Sequence, residues 1–124
     1  MLALMRSHDL GRRSETIACD YLKARGWTIL ERNYRAGHKE IDIIARRADT
    51  VAFVEVKART RADYGHPLNA IDWRKRRELA FAARAWLALN PTPGCEYQFD
   101  AVSITWQGSA RVVEHCANAW RIRG

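Results

Sequence analysis

Cysteine is scarce in this chain and badly spaced for chemistry. Cys19, Cys95 and Cys116 are an odd set at wide intervals with no C-x-x-C pair, which excludes a zinc ribbon and a disulfide framework. The expected setting is therefore reducing and cytoplasmic. Long apolar runs are also missing. The mildly apolar start, Met1 to Met5, meets Arg6, His8 and Asp9 at once, too soon for the apolar core of a secretion signal. No stretch approaches the roughly 20 apolar residues of a membrane span, so no membrane partner is expected. Repeats, low-complexity tracts and an obvious linker are absent, and residues 1–124 read as one domain. Acidic residues are outnumbered by Lys and Arg, 14 to 21, for a net charge of +7. That excess fits a polyanionic partner such as nucleic acid, or simple solubility.

What is present is enough apolar material, 48% of residues, to build a core without disulfide staples. Leu10, Ile17, Tyr21 and Leu22 recur at helical spacing within Ser7–Arg25, and Gly26 is placed to end that helix. A strand is expected over Trp27–Tyr34, with Trp27, Ile29 and Glu31 on one side, then a turn at Ala36-Gly37-His38. Two clearer strands follow, Lys39–Arg46 and Val51–Arg59, joined by a tight turn at Ala48-Asp49. A polar loop covers Thr60–Pro67. A long helix is expected over Asn69–Asn90, with a break near Trp73, and Ile71, Leu79, Ala82, Ala83, Trp86 and Leu87 on one side. Pro91 and Pro93 stop it, since proline cannot extend the hydrogen-bond ladder. Strands at Tyr97–Trp106 and Ala110–Cys116, turning at Gln107-Gly108-Ser109, complete an α/β domain with a mixed sheet.

The most informative segment is Glu40-Ile41-Asp42-Ile43-Ile44 followed by Val54-Glu55-Val56-Lys57. Residues two apart on a strand share a face. A turn centred between Ala48 and Asp49 sets Asp42 opposite Glu55, Glu40 opposite Lys57, Ile43 opposite Val54 and Ile41 opposite Val56. One face is then continuous hydrocarbon and the other holds three carboxylates and one ammonium, provided no bulge intervenes. Opposed carboxylates stand ~5 Å apart at Cβ and repel. Lys57 offsets part of that cost. A divalent cation offsets more, because Mg²⁺ takes oxygen ligands at ~2.1 Å. Such a cation polarises a phosphoryl oxygen and lowers the pKa of bound water, with Lys57 placed to orient the water or neutralise charge. The same pattern also suits a half-exposed sheet face with cross-strand salt bridges. Glu15 is either a solvated residue favoured by the positive helix N-terminus or an acid reaching the site from the side.

At these residues the chain resembles the restriction-endonuclease-like superfamily, whose signature is an Asp on one strand and a (D/E)-x-K on the next. More closely it resembles the YraN family of that superfamily. The likeness runs through Gly11, Glu15, Ala18, Tyr21-Leu22 and Gly26, then Arg32-Asn33-Tyr34-Arg35 and Glu40-Ile41-Asp42. It continues in Phe53-Val54-Glu55-Val56-Lys57, Arg59, Gly65 and Phe99-Asp100, and ends in His115-Cys116-Ala117-Asn118-Ala119-Trp120. The resemblance implies a restriction-endonuclease-like fold. It implies Mg²⁺ or Mn²⁺ held by Asp42, Glu55 and Val56, Lys57 as the catalytic lysine, and, by likeness to Holliday-junction resolvases, Glu15 as an additional acid. The implied activity is endonucleolytic hydrolysis of phosphodiester bonds in DNA, branched or otherwise structured. The alternatives are a nucleic-acid-binding module of the same fold with weak or no catalysis, and a scaffold for a protein partner. Likeness to resolvases is compatible with a homodimer, although no interface is legible. Three positions depart from the family pattern: Ser14 and Lys39 stand where Gly is usual, and Gln98 where Arg is usual.

Arg74-Lys75-Arg76-Arg77 is the densest basic run, and helical geometry spreads it around a turn. Lys75 and Arg76, with Arg59 and Arg61, are the candidate phosphate contacts, against the plainer reading of a solvated helix face. His8, His38, His66 and His115 lack ligand spacing and read as surface or packing residues. The five tryptophans read mostly as core. Trp73 beside the basic run can stack on a base, but packing is the expectation. Asp100 and Asn118 are read as turn-fixing residues without assigned chemistry.

Overall fold

A computed structural model of the chain describes residues 7–60 and 73–120, with side chains from Leu10 onward in the first helix. The elements run α1 (Ser7–Ala24), β1 (Thr28–Ala36), β2 (Lys39–Arg47), β3 (Thr50–Thr60), α2 (Trp73–Leu89), β4 (Glu96–Gln107) and β5 (Ala110–Trp120). This is the expected α/β order, a mixed sheet flanked by helices. Arg61, Gly65, His66, Pro67, Asn69 and Ile71 lie outside the described residues.

Helix α1 ends where glycine permits. Gly26 has a φ of 90°, its N–H bonds the Lys23 carbonyl at 3.1 Å, and Trp27 N–H reaches back to the Leu22 carbonyl at 3.1 Å. That paired closure satisfies carbonyls the helix leaves open, and the Leu22 and Trp27 side chains meet beside it. Helix α2 stops at Asn90, whose backbone N–H and side-chain amide both donate to the Trp86 carbonyl, at 2.8 and 3.0 Å. Pro91 follows.

The sheet order is β1-β2-β3-β4-β5. β3 and β4 pair in parallel, and every other neighbour is antiparallel. The central strands are buried on both faces: Val51 to Glu55 and Phe99 to Ile104 are buried without interruption, as expected of parallel strands covered by helices. Helix α2 covers β1 and β2 on one face, and α1 lies mainly on β3 across the other. The α2 side is centred on Phe53, packed against Trp86 and Phe99. The α1 side gathers Ala18, Leu22, Trp27, Ile43, Val54 and Trp106. No helix among the described residues is long and apolar enough to cross a membrane.

Two expected faces are corrected. The β1–β2 register shifts between Ile29 and Glu31. Ile29 therefore packs on the α1 side, while Glu31 turns to α2 and accepts the Trp86 Nε1–H at 2.9 Å. Ile41 and Ile43, two apart and expected on one face, pack on opposite sides: Ile41 under α2 and Ile43 under α1. The hairpin therefore has no single hydrocarbon face. Strand β5 also runs past Cys116 to Trp120, because a shift in the β4–β5 register between Phe99 and Ala101 lets it resume.

Candidate metal centre at a strand fork

The β2–β3 hairpin has the expected register from Arg47↔Thr50 to Ile43↔Val54, and the pairing ends there. Beyond it β2 stays with β1, Ile41 pairing Tyr34 and Glu40 pairing Arg35. β3 stays with β4 out to Thr60. The expected ladder pairings of Asp42 with Glu55, Ile41 with Val56 and Glu40 with Lys57 therefore do not form. A fork in a ladder strands backbone N–H groups, and each must find an acceptor. Asp42 supplies one: its Oδ2 accepts the Val56 N–H at 2.8 Å. The short Asp side chain thus takes the place of a ladder carbonyl and is held across the fork.

Glu55 lies on the α2 side of β3 and is only 6% exposed. Its Oε1 is 3.6 Å from Lys75 Nζ, on the first turns of α2. Its Oε2 is buried with no hydrogen-bond partner. The Asp42 and Glu55 carboxyls act directly on one another. Asp42 is pushed up to about 7, first by burial and then by the Glu55 charge, while the Val56 N–H pulls the other way. Burial also raises Glu55, against Lys75 and Lys57, which hold it down. Two carboxyls that cannot both ionise freely in a dry place either share a proton or take up a cation.

Glu15 comes from α1 at the same fork. Its carboxyl is raised by burial and then by Asp42, opposed by a hydrogen bond with Asn33 and by Arg32. Asn33 itself sits at a φ of 52°, in the left-handed region that asparagine tolerates better than most residues. Glu40 bears on Glu15. The fork thus gathers Asp42, Glu55 and Lys57, with Glu15 beside Asp42.

These donors fit a hard divalent cation. Carboxylate oxygens and a backbone carbonyl, the only donor Val56 can offer, suit Mg²⁺ or Mn²⁺. The Glu55 Oε2 is a buried acceptor beside the Asp42 carboxyl with no donor from the rest of the protein. Among the described residues no three His, Cys, Asp or Glu side chains form a closed metal cage. Mg²⁺ needs none, since it commonly takes one or two carboxylates and keeps its waters.

The basic run divides. Lys75, expected at a phosphate, stands on the stripe of Leu79, Ala82 and Trp86 one turn earlier and faces Glu55. That phase was readable: an ammonium on an apolar helical stripe points at the sheet. Arg76 turns its guanidinium over Trp120 at 5.8 Å, with its Nε buried. Arg59 is half-buried on β3, two residues beyond Lys57. Trp73, expected to pack, is 61% exposed.

Each unusual position has a local role. Ser14 is fully buried and its Oγ accepts the Trp106 Nε1–H at 3.1 Å. Gln98 donates to Asp100 Oδ1 at 2.9 Å. Lys39 lies over the Phe81 ring at 5.3 Å, and the cations bearing on the two acids are Lys75 and Lys57.

The sequence profile of an uncharacterised protein family, UPF0102, matches residues 14–104. A UPF0102 protein of Geobacter metallireducens is 40% identical over 118 residues, covering 95% of this chain and 97% of the relative. One from Chloroherpeton thalassium is 45% identical over 101 residues, 82% of this chain and 78% of the relative. One from Trichlorobacter lovleyi is 41% identical over 114 residues, 90% and 87% of the two chains.

Proposed function

Because the chain belongs to the uncharacterised protein family UPF0102, whose name carries no activity, we propose its function from the site: a divalent-metal-dependent DNA endonuclease. The observation that carries this reading is the buried Asp42–Glu55 pair at the fork with one carboxylate oxygen unpartnered. The arrangement resembles the Asp and Glu-x-Lys constellation of restriction-endonuclease-like nucleases. Asp42, Glu55 and the Val56 carbonyl are the metal-holding groups, and Glu15 assists from α1. The bound cation supplies Lewis-acid activation of the phosphodiester and acidification of water.

The chain's own residues do the rest. The Val56 N–H fixes the Asp42 carboxylate in place. Lys57, on the same strand face as Glu55, orients the attacking water and balances charge as it develops on phosphate. Lys75 neutralises Glu55 from the other side and keeps the acids from repelling a polyanion. Arg59, Arg61 and Arg76 remain the candidate contacts to the DNA backbone. Purified protein is expected to cut DNA with Mn²⁺ or Mg²⁺. Lys57→Ala and Asp42→Asn should each abolish cutting while DNA binding persists. Cutting that survives in both variants contradicts the assignment.

A second reading has its own observation. Lys75 already neutralises Glu55 internally, as a fold that kept its DNA surface without its metal would require. Calorimetry that finds no specific divalent binding favours that binding-module reading.

A further inference from the structure

Helix α2 carries a stripe that the core does not use. Trp73, Arg77 and Phe81 recur every four residues, and residues four apart on a helix stack along one side. Trp73 is 61% and Phe81 54% exposed. They line a groove of about 410 Å³ with Lys39, Arg74, Arg77 and Glu78. Three cations against one carboxylate make it electropositive. The cations lie on the aromatic faces: Arg74 and Arg77 stand 5.6 and 5.5 Å from the Trp73 ring, and Lys39 stands 5.3 Å from Phe81.

Large aromatics exposed together inside a charged rim mark an interaction surface. A base offers a flat apolar face, and its phosphate offers the charge that Arg and Lys seek. Aromatic platforms inside a basic groove are the common solution for unpaired nucleic acid, whereas duplex DNA hides its base faces. An acidic protein surface would satisfy the cations and leave the two rings without a stacking partner.

The groove shares strand β2 and the start of helix α2 with the strand fork. Lys39 opens β2, three residues before Asp42, and Arg74 adjoins Lys75, which contacts Glu55. We propose that this groove seats an unpaired base of the nucleic acid that reaches the acids. The substrate is then DNA with a single-stranded segment beside the scissile phosphate, and this rests on the nuclease reading above.

The test separates the two readings by measuring binding with the metal chelated. Anisotropy of labelled oligonucleotides compares a single strand, a blunt duplex of equal length and a duplex with an overhang. The wild type should prefer the two with unpaired bases. Trp73→Ala should weaken single-strand binding about tenfold, leave the blunt duplex unchanged, and keep the same salt slope. Trp73→Phe should restore most of the loss, which also rules out misfolding. Arg74→Ala and Arg77→Ala should each make the salt dependence shallower.

Equal affinity of Trp73→Ala and wild type for single strands overturns the proposal, as does equal loss on duplex and single strand. A change of oligomeric state in Trp73→Ala by sedimentation, without a change in DNA affinity, makes the groove a protein contact and also overturns it. Cleavage is scored separately. Single-strand preference without cutting refutes the nuclease alone, and cutting that ignores Trp73 refutes only the groove.

Discussion

Two carboxylates stand buried at two irregularities of the same sheet, and their surroundings differ in one respect. Asp100 sits where the β4–β5 register slips, and it is saturated. Its Oδ1 accepts the Asn118 N–H at 2.8 Å and the Gln98 amide at 2.9 Å, and its Oδ2 is 2.8 Å from His115 Nε2. Tyr21 closes over His115 edge-on, with ring centroids 6.2 Å apart. Glu55 sits beside the other irregularity, where β2 leaves β3. One of its oxygens has a lysine at 3.6 Å, and the other is buried without a donor from the rest of the protein, with the Asp42 carboxyl as its neighbour. The contrast between a saturated buried acid and one left short of donors is what supports reading the second as a ligand site.

The comparison breaks first on activity. Asp42→Asn should lower metal-dependent cleavage on the order of 10³-fold, whereas Asp100→Asn, far less perturbing to the fork, should lower it only as far as folding suffers. Equal losses in cleavage per folded molecule would erase the distinction. Next comes stability. Asp100→Ala strands three donors in a buried place and should cost about 3 kcal/mol in a denaturant titration. Glu55→Gln should cost less, since it removes a buried charge that the protein only partly satisfies.

The pH dependence has opposite meaning at the fork. Asp42 binds its proton more tightly when folded, up to about 7, than in the unfolded chain, near 4. Between those values the folded state holds more protons, so metal-free stability falls as pH rises through that window. Asp42→Asn removes the fall and should raise the pH 8 melting temperature by about 5 °C, with little change at pH 4. An unchanged pH profile in that variant would show that Asp42 is not the perturbed group. The smallest effect is at Ser14. Ser14→Ala leaves the Trp106 indole N–H without its acceptor, and about 1 kcal/mol of stability should go with it.

Much of this was legible in the chain. All seven elements sit close to their expected places because their boundaries are chemically marked: Gly26, the Ala48-Asp49 turn, the prolines after Asn90. The hairpin register follows from the parity of that turn, where Ala48 takes a φ of 52°. Parity says nothing about where two strands part company. The fork after Ile43 moved Ile41 to the far side and separated Glu40 from Lys57, and no local pattern announces it. β5 went unread past Cys116 for a similar reason: Asn118, at a φ of 52°, kinks the strand, and its tie to Asp100 depends on a partner 18 residues away. The pairing of Lys75 with Glu55 is hidden when the residue is read within the basic run as a candidate phosphate contact rather than on the helical stripe. Trp73 was misjudged because burial of a tryptophan is decided by what packs on it, which composition does not record.

On the proposed reading, Asp42 and Glu55 form a site that a divalent cation completes. Calorimetric titration of the protein with Mn²⁺ at pH 6 and pH 8 tests it most directly. One saturable site is predicted, tighter at pH 8, releasing a proton on binding at pH 6, and lost in Asp42→Asn. Binding that is absent at both pH values, or that persists unchanged in Asp42→Asn, would contradict it.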